Sequence, residues 1–187
     1  MRGMRLVLFL VFFCLVAHTD AQYFQDTSNT EFSMQRFTWS TAGVGTVTFG
    51  SIYGLSKLWY SQENKGVFHL FNDAKNWMQM DKLGHSFSCY HATRGLDALY
   101  SWTGLKRRKS LLLASGISLG YFTTIEILDG FSESWGFSLS DMGFNAFGVG
   151  LYVFQEHYFK SQIFKLKFSF HQTRFAEQRP EVLGKNF

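Results

Sequence analysis

Proline is almost missing from this chain: Pro180 is the one instance in 187 residues, so nothing interrupts long helices ahead of the tail. Charged residues are scarce too, at 17% against roughly a quarter in soluble proteins. The 22 phenylalanines fill part of that deficit, yet a mean hydropathy of -0.06 is too low for a chain made mostly of membrane spans. A net charge of +4 is too mild to argue for nucleic acid, and none is expected as a partner. There are two cysteines, Cys14 and Cys89, and the first falls in an apolar leader, so no internal disulfide is expected after export. The chain also lacks His-Glu-x-x-His, the paired Glu-x-x-His of di-iron bundles, and any serine, cysteine or threonine in a recognised nucleophile motif.

What is present begins with a leader. "MRGMR" is a short basic region, "LVLFLVFFCLVA" an apolar core, and "HTDAQ" a polar end with the small residue Ala21. This is the layout of a secretory signal peptide over residues 1–21, cut between Ala21 and Gln22. Twelve apolar residues are too few to cross the hydrocarbon comfortably. Phe13 precedes Cys14 where a lipid-attachment site needs a small residue, so Cys14 is not read as a lipid anchor.

The rest reads as a mainly α protein, a bundle of about four helices with a short C-terminal strand or extended tail. Residues 22–36 form a flexible entry, 37–160 the helical domain and 161–187 an extended segment. Within the domain, Phe37–Ser56 is an uncharged, glycine-containing helix, and a second helix runs over Met80–Trp102. A third covers Lys109–Leu128 with Gly130 as its stop. Ser138 and Asp141 have capping-box spacing at the start of a fourth, which continues to His157. "FKLKFSFH" (164–171) alternates apolar and polar residues as a half-buried strand would, with "VFHLF" (67–71) or another protein as its partner. The uncharged runs at Ser110–Ile125 and Met142–Gln155 are at or below spanning length. Positive loops prefer the cytoplasmic side. "KRRK" therefore favours a compact bundle on the exported side that rests against lipid.

Functional candidates start from four acids in "IEILDGFSESWGFSLSDMGFNAFG", which has no lysine or arginine. Glu126 and Asp129 share a face in the last turn of the third helix, where the helix dipole disfavours anions. Their compensation is sought in "MDKLGHSFS": Asp81, Lys82 and His85 project from one side of the second helix. Asp141 and Asn145 are four apart on the fourth. Antiparallel helices can thus gather Asp81, Lys82, His85, Glu126, Asp129, Ser138, Asp141 and Asn145 into one polar cluster.

These stretches and their spacing resemble the YfiM-type family of periplasmic lipoproteins, bacterial proteins of unknown function, over about residues 60–160. The outline Asp-Lys-x-x-His, Glu, Ser-x-x-Asp-x-x-x-Asn-x-x-Gly is also similar to VanZ-like envelope proteins linked to glycopeptide resistance. Its matching positions are Asp81, Lys82, His85, Glu126, Ser138, Asp141, Asn145 and Gly148. The resemblance implies the periplasm or the periplasmic face of an envelope membrane, and supplies no reaction.

The reading taken forward is a non-enzymatic envelope module, with lipid or an envelope protein as partner and the cluster as a satisfied polar network. The alternative is a hydrolase or transferase acting on lipid or cell-wall material. There His85 is the general base oriented by Asp81 or Asp141, Glu126 an acid raised by burial, and Lys82 the group that steadies an anion. No cofactor is required. A divalent metal held by His85, Glu126, Asp129 and Asp141 is the one that the residue types allow.

Overall fold

A computed structural model describes residues 31–58, 66–72, 79–133 and 135–169. The leader therefore lies outside the described residues, as do most of the 22–36 entry and the end of the tail. Four helices follow one another: α1 Met34–Leu58, α2 Met80–Trp102, α3 Arg107–Gly130 and α4 Leu139–Tyr158. They match the expected four, with ends shifted by up to three residues. α1 starts before Phe37 because the Ser33 Oγ accepts from the Arg36 N–H and so caps the first turn.

α2, α3 and α4 pack together as the bundle. Among the described residues, α1 meets it near its start, where Ser33 N–H bonds Thr103 O, the Phe37 ring lies 5.9 Å from Tyr100 and Arg36 sits over the Trp102 ring. α2 and α4 run in one direction and α3 returns alongside both, so the α2 start, the α3 end and the α4 start share one end of the bundle. At the centre, Tyr90, Leu111 and Tyr152 form a small apolar core. α2 and α4 approach most closely where Gly148 lies against the Ser86 backbone.

The expected C-terminal strand is not formed over its described part, residues 164–169. Side chains capture the tail instead of a ladder. Tyr90 Oη and Gln155 Nε2 donate to Phe164 O, and His91 Nε2 lies 2.9 Å from Leu166 O. Nor does "VFHLF" pair with the tail. It lies beside the α3–α4 connection, with a parallel bridge between Leu70 and Phe137 and bonds from His69 N–H to Gly130 O and Phe71 N–H to Phe137 O. The Phe68 ring packs 5.3 Å from Phe131 and 5.8 Å from Phe137, closing that corner.

Candidate functional site

The stranded acids find partners at the shared end of the bundle. Glu126, in the last turn of α3, is 2% exposed. Its carboxylate takes a hydrogen bond from the Ser138 backbone N–H, one of the donors that a helix start leaves unpaired. Ser138 Oγ in turn accepts from Asp141 N–H and caps α4. The α4 cap is thus tied to the end of α3.

Lys82 crosses from α2 to the same point. It is 1% exposed, and its Nζ lies 3.0 Å from Asp141 Oδ1 and 3.5 Å from Asp81 Oδ2. His85, one turn on, sets Nδ1 3.0 Å from Asn145 Oδ1 and 3.5 Å from Glu126 Oε1. Its Nε2 faces Asp81 Oδ1 at 3.7 Å and Asp141 Oδ2 at 4.0 Å. Asn145 Oδ1 also accepts from the buried Cys89 thiol. Of the eight expected residues, seven meet here. Asp129 is half-buried one turn beyond Glu126, and its charge acts on that group through space.

The electrostatics follow from burial. Glu126 is pushed up to about 8, first by loss of solvation, then by the negative charges of Asp141 and Asp129. It is a neutral acid over much of the physiological range. The Cys89 thiol is pushed up to about 12, mainly by burial, which makes it an inert packing group.

A second ionic group went unnoticed in the sequence. At the opposite end, the Arg107 guanidinium donates to Asp97 and Glu156. Asp97 also accepts from Tyr152 Oη at 2.7 Å and Ser110 Oγ at 2.7 Å. This clasp joins α2, α3 and α4. No local signal marked it: Arg94 stands three residues before Asp97 in the same helix, so the acid reads as half of an ordinary helical pair.

Polarity across the bundle is inverted. Fully buried side chains include Lys82, Glu126, Asn145, Asp97, Gln155, Thr93, Ser110 and Ser118. Outward positions of α4 between Leu139 and Phe154 are Leu, Gly, Ala, Phe, Gly and Phe, without a charge. Leu112 on α3 is 64% exposed, and Phe147 on α4 57%. Among the described residues, α3 is the helix long and apolar enough to cross a membrane, by length and composition.

Comparison with known proteins places the cluster in a wider setting. Residues 69–157, which contain α2, α3 and all but the last residue of α4, match the family model described as "Predicted periplasmic lipoprotein (DUF2279)". The periplasmic location expected for this chain agrees with that description. No curated protein and no solved structure matches the chain, and the likeness to VanZ-like proteins finds no support there.

Proposed function

We propose that this chain is a non-enzymatic module of the bacterial envelope that holds the outer face of α3 and α4 against lipid. Its polar clusters lock the helices from within. One observation carries the reading: charged and amide groups fill the interior while leucine and phenylalanine face out. In water that order wastes the hydrophobic effect, and exposed apolar patches of this kind mark interaction surfaces. Lipid rather than protein is favoured by the rim. Lys106, Arg108 and Lys109 are exposed at the α3 start, close to the exposed Trp102 at the α2 end. Basic residues with tryptophan suit an anionic headgroup layer.

The test is flotation with vesicles of phosphatidylethanolamine and phosphatidylglycerol. The wild-type protein is expected to float with them. Phe147→Asp and Phe154→Asp should lower the bound fraction several-fold with little change in melting temperature, since neither side chain supports the interior. A protein that stays monomeric in buffer and leaves the vesicles unbound would overturn the reading. Binding to an envelope protein in place of vesicles would do the same.

A second reading, a hydrolase or transferase for lipid or cell-wall material, is favoured by one specific juxtaposition. Glu126, kept neutral by burial, lies 3.5 Å from a part-exposed imidazole, the kind of acid–base pair used in proton transfer. Under this reading, His85→Gln keeps the wild-type melting temperature and abolishes complementation of an envelope defect in a deletion strain. Complementation that falls only in step with stability would return His85 to a structural role.

A further inference from the structure

The geometry points to a binding site for one divalent transition-metal ion between His85 Nε2, Asp81 and Asp141. This set differs from the one expected from sequence: Asp81 replaces Glu126 and Asp129. The site does not depend on the lipid-facing reading.

The argument starts from the imidazole. Nδ1 lies 3.0 Å from Asn145 Oδ1, an amide oxygen that can only accept, so this nitrogen carries a hydrogen. In a neutral ring Nε2 then presents its lone pair, and it does so toward two more oxygens, Asp81 Oδ1 at 3.7 Å and Asp141 Oδ2 at 4.0 Å. Those distances are too long for N–H···O hydrogen bonds. They are close to the spacing of ligands around one ion: two atoms each about 2.1 Å from a tetrahedral zinc stand about 3.4 Å apart. One ligand atom from each of the three residues lies within 4.8 Å of the others. Closing by about 1 Å at the wider pairs completes the set.

The surroundings match what a bound metal needs. Metal-ligating histidines usually donate their other ring N–H to an oxygen acceptor, which fixes the tautomer; Asn145 Oδ1 is that acceptor. Asp81 is 42% exposed and gives an entry path from solvent. Each aspartate divides its oxygens between Lys82 on one side and His85 on the other, so the ammonium balances part of the charge without filling the space before Nε2. One imidazole with two carboxylates suits zinc, manganese or iron(II).

The experiment uses Zn²⁺ as the probe. The full chain is stripped with EDTA, dialysed against Zn²⁺, and examined by metal analysis and titration calorimetry. One ion per chain is expected, with a raised melting temperature. His85→Gln and Asp81→Asn should each weaken binding by tenfold or more, as loss of a ligand does. Asp81→Asn should keep the metal-free melting temperature, because Asp81 is solvent-facing, so its defect is one of binding and not of folding. His157→Gln, exposed at the far end of α4, should bind as the wild type does. No stoichiometric uptake, or uptake unchanged in both site variants, overturns the proposal. Either result leaves the lipid-facing reading standing.

Discussion

Lys82→Met unfolds this protein more readily by about 3–5 kcal/mol, the usual cost of breaking a buried ion pair from one side. The ammonium is almost wholly out of water and only 3.0 Å from Asp141. Methionine leaves the Asp141 carboxylate buried, facing Glu126 across the α3–α4 junction, with its nearest cation gone. Urea unfolding followed by tryptophan fluorescence measures the loss. The double variant Lys82→Met/Asp141→Leu is expected to recover much of it, because removing both charges also removes both desolvation penalties. If Lys82→Met costs less than about 1 kcal/mol, as exposed pairs do, the ammonium reaches solvent and the interhelical lock is not where we place it.

The second large effect is steric. A methyl group at position 148 would lie 2.9 Å from Ser86 Cα and closer still to the Ser86 carbonyl oxygen. Both are backbone atoms, so no rotamer change relieves the contact. α2 and α4 must move apart, which would also stretch the bond from Ser86 Oγ to Phe144 O and the His85–Asn145 contact. Gly148→Ala is therefore expected to cost about 3 kcal/mol, at the upper end of overpacking changes. Gly143→Ala and Gly150→Ala provide the contrast. Both positions look into open space from the same helix, and alanine there should gain up to about 1 kcal/mol from helix propensity. Thermal melts of the three variants check the pattern. Equal behaviour at all three would mean that the α2–α4 approach is looser than described.

Much of the architecture was legible because it rests on local signals. The Ser138 cap, the Gly130 stop and the near absence of proline mark helix ends wherever the helices pack. Glu126 announced itself through context, since an acid amid "TTIEIL" needs a partner. Lys82, His85, Asp141 and Asn145 followed from spacings of three and four on their own helices. Other features left no local trace. Asp97, Arg107 and Glu156 are separated by 10 and 49 residues, and in the sequence Arg107 is one member of a basic turn. The alternation in 164–169 is real, but the carbonyls there are taken by Tyr90, His91 and Gln155, residues whose reach depends on how α2 and α4 face the tail.

Helix number, helix order and the presence of uncompensated acids were therefore set by the chain itself, through short-range backbone and side-chain preferences. Which atoms meet was decided only by the packing. The α3 turn-back places Glu126 under the α4 cap, Gly148 lets α2 close on α4, and Nε2 of His85 then faces two carboxylates from different helices. Hydrogen bonds and ion pairs depend on tenths of an ångström and on the loss of water. Neither is specified by residue spacing along one helix, and both follow once three helices share a common end.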